Sequence, residues 1–348
     1  MRRLCRLLFF LLLALPLGAE RVHAQWTPIH RFDALISCVY FFDANTGLVG
    51  TSDKIYRTQD GGLSWQTVAT GVPSPTAFEF KDLQNGWCSM SGVPPGVGCY
   101  RTTDGGRSWL TTPAIGACGD VSYNATSKLL FLSMRKGGFS LSSADLGKTW
   151  KPVTTNNDEN GVVWCGAQYG ILSAYTTPYF RTTDGGVTWK STGYIQHAWS
   201  PIALPGSQTI IVAGDQSPNM YRSDDAGLTW RTMPSPGGML TGCVQAGICG
   251  VYVQNDHGLF TSSDLVKWTA LGGPGSTFDT RFFVSSFGVY AGGFDYTLYY
   301  MPPASGAWPT LDLKPNALQL SQASGCQAAR AKALFTNLSC GTLTIQSA

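Results

Sequence analysis

One ten-residue pattern returns along this chain and limits what the chain can fold into. Tyr56-Arg57-Thr58-Gln59-Asp60-Gly61-Gly62-Leu63-Ser64-Trp65 reappears as Tyr100-Arg101-Thr102-Thr103-Asp104-Gly105-Gly106-Arg107-Ser108-Trp109. Further copies run from Phe180 to Trp189 and from Tyr221 to Trp230, with a looser one from Ser140 to Trp150. A degenerate copy, Ser262-Ser263-Asp264-Leu265-Val266-Lys267-Trp268, lacks the glycines and is one residue shorter. Trp26 and Trp308 keep the period without the motif, so tryptophans 26, 65, 109, 150, 189, 230, 268 and 308 are spaced by 39, 44, 41, 39, 41, 38 and 40 residues. Seven intervals near forty define a repeat architecture, to be read before any local motif.

Within a unit the apolar runs are short and separated by turn residues. Leu35–Phe42 is followed by the turn Asp43-Ala44-Asn45-Thr46-Gly47, then Leu48–Thr51, then a run ending in Tyr-Arg-Thr, the Asp/Gly turn and a fourth strand from the Trp. Forty-one Gly and 11 Trp against three Glu, with 13% charged residues, fit strands and tight turns rather than a helical bundle. Four antiparallel strands per forty residues predict an all-β, seven-bladed β-propeller over 25–312, with six or eight blades or a β-solenoid as alternatives. Eight tryptophan strands for seven blades leave one surplus. Either Trp26-Thr27-Pro28-Ile29 or Trp308-Pro309-Thr310-Leu311 supplies the outer strand of the last blade. Residues 313–348 fall outside the repeat as a tail.

The repeated motif has a local physical reading. The Asp carboxylate accepts backbone N–H bonds across its own turn, Gly supplies positive φ, and the hydroxyl residue adds a second bond to the backbone. The Trp then buries a large ring between sheets. On this reading Asp60, Asp104, Asp145, Asp184, Asp225 and Asp264, with Trp65, Trp109, Trp150, Trp189, Trp230 and Trp268, are structural. A calcium loop is excluded because its alternating carboxylates are missing.

These copies resemble Asp-boxes, or bacterial neuraminidase repeats, over roughly residues 25–311. Such repeats occur in sialidases, xyloglucan-active endoglucanases, sortilin-like receptors and the photosystem II assembly/stability factor family. The run Val39–Gly50 followed by Tyr56–Gly62 is most similar to the last group. That resemblance implies a non-enzymatic scaffold holding a protein partner. The sialidase relatives imply instead a glycan-cleaving enzyme, and a glycan is the alternative partner.

The residues for sialidase chemistry are thin. No Arg is followed by an apolar residue and Pro, and Glu79 and Glu159 are the only glutamates beyond Glu20. Arg57, Arg101, Arg181 and Arg222 repeat at one blade position, which fits structure rather than a carboxylate grip. A two-carboxylate glycosidase would draw on Asp33, Asp120, Asp158 or Asp279, which lie outside the repeated motif, with Trp164 or Trp199 stacking on sugar. His30, His197 and His257 are isolated, so no metal is expected, and no motif calls for a cofactor. Binding residues of a scaffold sit on loops. The connections between blades therefore nominate Arg31, Asp33, Glu79, His197, Trp199, Asp279 and Arg281 as a binding face.

The N-terminus reads as a secretory leader. Arg2, Arg3 and Arg6 precede the apolar run Leu7–Gly18, and Val22-His23-Ala24 offers a cleavage site before Gln25. Residues 1–24 carry four arginines and one glutamate, and so account for the whole formal charge of +3. A neutral mature chain gives no reason to expect nucleic acid as partner. No second apolar run is long enough to span a bilayer. The expectation is a secreted or periplasmic monomer, with an uncleaved membrane anchor as the alternative. In an oxidising compartment the cysteines suggest Cys88 with Cys99, Cys243 with Cys249, Cys118 with Cys165 and Cys326 with Cys340, leaving Cys38 over.

Overall fold

The computed structural model describes residues 26–92, 99–113, 116–134, 139–153, 159–174, 179–192, 195, 198–204, 206–247, 250–273, 278–285 and 287–302. Among them are 28 strands and no helix. The chain begins with β1 (Thr27–Arg31) and then lays down blade 1 as β2 (Ile36–Phe41), β3 (Gly47–Thr51), β4 (Lys54–Thr58) and β5 (Gln66–Thr70). Blade 2 is β6 (Pro75–Phe80), β7 (Gly86–Met90), β8 (Cys99–Thr102) and β9 (Leu110–Thr111). Blade 3 is β10 (Cys118–Asn124), β11 (Leu129–Met134), β12 (Leu141–Ser143) and β13 (Lys151–Pro152). Blade 4 is β14 (Glu159–Cys165), β15 (Tyr169–Ala174), β16 (Phe180–Thr182) and β17 (Lys190–Ser191). Blade 5 is β18 (Ala198–Ala203), β19 (Ile210–Ser217), β20 (Met220–Ser223) and β21 (Arg231–Met233). Blade 6 is β22 (Leu240–Gly247), β23 (Gly250–Asn255), β24 (Gly258–Ser262) and β25 (Thr269–Gly272). The last three, β26 (Phe278–Ser285), β27 (Gly288–Gly293) and β28 (Thr297–Met301), belong to blade 7.

Blade 7 takes its fourth strand from the N-terminus: the order is β1-β28-β27-β26, with Thr27 opposite Tyr300 and Arg31 opposite Thr297. The alternative left open by the tryptophan spacing is thereby decided for Trp26-Thr27-Pro28-Ile29. Each first strand contacts the first strand of the next blade, and β26 contacts β2, which closes a seven-bladed β-propeller. Blades 5 and 6 are further joined where Asp215 and Ser217 of β19 pair with Thr241 and Leu240 of β22.

The core lies between blades because strands here alternate their side chains to two neighbouring sheets. Trp87 of blade 2 packs with Leu130 and Leu132 of blade 3, and Ile171 of blade 4 packs with Ile210 and Val212 of blade 5. Second strands, covered on both faces, are the most buried: every residue of β3, β7 and β27 is buried. Trp164 belongs to this packing, 4.9 Å from the Phe131 ring and 5.8 Å from Trp189, rather than to a sugar platform.

Two of the expected disulfides are absent. The β7–β8 ladder sets Cys99 opposite Ser89 and Cys88 opposite Tyr100, so the two sulfurs leave the sheet on opposite faces. Cys99 packs with Trp87 and Cys118, whereas Cys88 packs with Cys38 and Met90. Cys118 opens β10 and Cys165 closes β14, which puts them at opposite ends of neighbouring inner strands. All five of these cysteines, Cys38 included, are buried thiols. Cys243 lies in β22 with its side chain outside the described set, and Cys249, Cys326, Cys340 and the 313–348 tail lie outside the described residues.

Candidate functional site

The repeated Asp turns sit at one face of the disc, and their carboxylates bond within their own turns. In the first copy Asp60 Oδ1 accepts the Ser64 amide at 2.9 Å, Oδ2 accepts the Ser64 hydroxyl at 2.6 Å, and the Thr58 hydroxyl donates to Oδ1 at 2.8 Å. The Ser64 hydroxyl and amide hold this carboxyl at about 2. Asp104, Asp145, Asp184 and Asp225 repeat the same set of bonds. Asp264 keeps only the part its shorter turn allows, accepting from the Val266 and Lys267 amides.

Two of the repeated arginines, Arg57 and Arg181, staple blades at this face. Arg57 Nε of blade 1 donates to the Gly105 carbonyl in the Asp turn of blade 2 at 3.1 Å. Arg181 of blade 4 reaches the Ala226 and Asp225 carbonyls of blade 5 at 2.8 and 3.4 Å. Arg222 instead pairs with Asp224. A recess of about 190 Å³ beside Arg181 is therefore walled by a guanidinium already engaged. Arg181→Met leaves two carbonyls without a charged donor and is expected to cost about 1–3 kcal/mol, read as a lower urea midpoint at unchanged slope.

The opposite face is built from the connections between blades. Its turns are tied to one another: Val72 N donates to Asp53 O, Phe32 N to Tyr296 O and Asp256 N to Met239 O. Arg31, exposed at the end of β1, donates from Nε to the Asp295 carbonyl at 3.2 Å. Asp33, in the β1–β2 connection, is held by Lys54 and by the Tyr56 hydroxyl at 2.6 Å. Those two donors, Lys54 first, lower its pKa. In the β27–β28 turn Asp295 accepts from the Tyr299 hydroxyl at 2.7 Å and the Thr297 amide at 3.1 Å. The same turn exposes Phe294 (54%) and Tyr296 (40%), and Met239 of the adjoining blade is 47% exposed. Tyr296 has φ 68°, a left-handed position usually left to Gly or Asn. A bulky side chain at that φ carries backbone strain that Gly would avoid.

The nominated residues divide. Arg31 and Asp33 lie on this face. Glu79 does not: it is the penultimate residue of β6, in the channel wall toward the Asp-turn face. Its Oε1 accepts the Tyr123 amide at 3.0 Å, and burial, reinforced by Asp120, pushes its carboxyl up to about 8. Trp199 lies in β18, and Asp279 and Arg281 in β26, with side chains outside the described set. His197 and Asp158 lie outside the described residues. Lys54, Tyr56, Phe294, Asp295 and Tyr296 complete the face unannounced. Two aromatic residues in the three-residue run Phe294-Asp295-Tyr296 were the available signal.

The geometry defines the class as a seven-bladed β-propeller with a polar-apolar connection face. No family model and no curated protein matches the sequence. Among solved structures the chain is similar to YCF48 bound to D1 peptide, at 16% identity and TM-score 0.61, over 80% of this chain and 96% of that one. YCF48 from Cyanidioschyzon merolae is similar at 14% identity and TM-score 0.60, over 80% and 99%. The GH74 xyloglucanase from Xanthomonas campestris is similar at 14% identity and TM-score 0.62, over 82% of this chain and 54% of that one. These likenesses establish a shared fold.

Proposed function

We propose that the chain is an exported, non-enzymatic propeller that holds a protein partner on its connection face, in the manner of the photosystem II assembly factors. One observation carries this reading. The face exposes Phe294 and Tyr296 in the turn whose Asp295 carbonyl Arg31 contacts, and exposes Met239 as well, a combination of aromatic, Met and Arg found at protein-binding surfaces. A structural neighbour bound to a D1 peptide supports it. Export rests on the basic and apolar leader before Gln25.

The strained aromatic supplies a test with two opposed readouts. Tyr296→Gly removes the ring and relieves the left-handed backbone, so stability should hold or rise by up to about 1 kcal/mol. Combined with Phe294→Ser, it should lower capture from a displayed peptide library at least tenfold. Undiminished capture by the double variant would sink this assignment.

The glycan-cleaving reading has Glu79 and Asp120 on its side, two carboxyl groups close enough to interact in the channel wall. Both are engaged with backbone, Glu79 by Tyr123 and Asp120 by the Val121 amide at 2.8 Å. Long incubation of residues 25–348 with sialosides and β-glucans should therefore release no reducing ends. Turnover abolished by Asp279→Asn or Asp120→Asn would make this a hydrolase.

A further inference from the structure

Counting along each blade from the repeated turn gives Glu79 and Gln245 the same address. Glu79 faces Trp87, which faces Arg101, the residue before the turn hydroxyl Thr102. Gln245 faces Tyr252, which faces Thr261, the residue before the turn hydroxyl Ser262. Both therefore project from the innermost strand toward the innermost strand of the next blade. That strand is an edge: its inward amides and carbonyls have no ladder partner, and the C=O of residue i and the N–H of residue i+2 point the same way.

Gln245 caps one such pair completely. Its Oε1 accepts the Val284 amide at 2.9 Å and its Nε2 donates to the Phe282 carbonyl at 2.5 Å. Glu79 makes the first half of this contact, accepting the amide of Tyr123 at 3.0 Å. The matching carbonyl, two residues earlier, belongs to Val121. A carboxylate has acceptors only and would set a negative oxygen against that carbonyl, whereas a carboxylic acid has one acceptor and one donor, as a primary amide does.

We propose that Glu79 is an uncharged acid that clamps blade 2 to blade 3 as Gln245 clamps blade 6 to blade 7, its Oε2–H donating to Val121 O, and that loss of this proton loosens the seam. The groups facing it are Tyr40 from β2 and Asp120 from β10, and across the ladder it meets Trp87 of β7. Asp120 makes a second negative charge there unwelcome. Tyr40, whose hydroxyl is pushed up to about 12 by burial and then by Glu79, adds no charge at neutral pH. The native carboxyl sits above its ordinary value because of burial, with Asp120 adding and the Tyr123 amide opposing. The sign follows: this clamp stabilises fully below the unfolded carboxyl value of 4.5, and its contribution is lost as pH rises toward about 8.

The chain makes the test direct, because its glutamates are only Glu20, Glu79 and Glu159. Full-length protein labelled with 13C at the glutamate carboxyl carbon is titrated by NMR from pH 3 to 9. One resonance should titrate more than two pH units above the others and vanish in Glu79→Gln. Gln245→Glu should add a second late-titrating resonance, which decides the matter even where Glu79→Gln folds poorly. The melting temperature of the parent should fall between pH 5 and 8, while that of Glu79→Gln stays level. All carboxyls titrating near the ordinary value, or a Gln variant with the parent's pH profile, would overturn the proposal.

Discussion

Deleting residues 26–31 should abolish the cooperative melt of the whole ring, not merely trim one blade. β1 is the sole fourth strand of blade 7, and its loss strips ladder partners from β28 across Thr297–Tyr300. It also ties three blades together. Trp26 donates to the Leu271 carbonyl of blade 6 at 3.3 Å, and Ile29 packs against Gly62 in the Asp turn of blade 1. Phe32, just beyond it, is buried with Ile36 and Val49 of blade 1 and Tyr290 and Leu298 of blade 7. Unpaired backbone and exposed core together exceed the effect of any single substitution here, about 4–5 kcal/mol or more. Circular dichroism melts of the truncated and intact chains check this, and a peptide of residues 25–33 added in trans should restore part of the transition by re-pairing with β28. A truncated chain melting within about 5 °C of the parent would show that the seam is not structural.

Gly186→Ala is the second large effect expected. Gly186 has φ 94°, and a Cβ there would lie 2.3 Å from Phe131 Cζ and 2.9 Å from Trp164 Cη2. Both neighbours are rings wedged between blades 3 and 4, so neither can swing away. Left-handed strain of about 1–2 kcal/mol adds to overpacking of about 1–3 kcal/mol, for a loss of roughly 2–5 kcal/mol. Gly166 separates the two terms: its φ is 71°, but nothing lies within 4 Å of a Cβ. Gly166→Ala should cost only the backbone part. Equal urea midpoints for the two variants would mean that the second turn glycine is kept for φ alone.

The repeat made the fold readable because its signals are local. The Asp–Gly–Trp turn, the short apolar runs and the period near forty each specify one blade, and seven blades in sequence specify a ring. The closing strand was not readable, because Trp26-Thr27-Pro28-Ile29 and Trp308-Pro309-Thr310-Leu311 offer the same pattern at the two ends of the repeat. Cysteine pairing failed for a related reason: spacing gives neighbouring strands, but which face a sulfur leaves depends on a one-residue register. Arg31 and Asp33 were legible as connection residues. Lys54 and Tyr56 were not, since they belong to β4 and meet Asp33 only after blade 7 borrows the N-terminus. Glu79 was legible as an unusual residue but placed on the wrong surface, because strand direction in a wall is not written in one side chain.

The closing strand has a further consequence, in time rather than in space. β1 is synthesised first, yet its partner β28 ends at Met301, and the Arg31–Asp295 contact spans 264 residues. At ordinary synthesis rates the first strand waits roughly 15–50 s before a partner exists. Until then the chain holds six blades complete in their own strands and one unclaimed strand that an exposed edge could capture. Pro28, which cannot donate to a ladder, sits within that strand and makes it a poor partner for the wrong edge. Ring closure is thus a single late event of high sequence separation, and the rate at which this protein matures should be set there rather than in any blade.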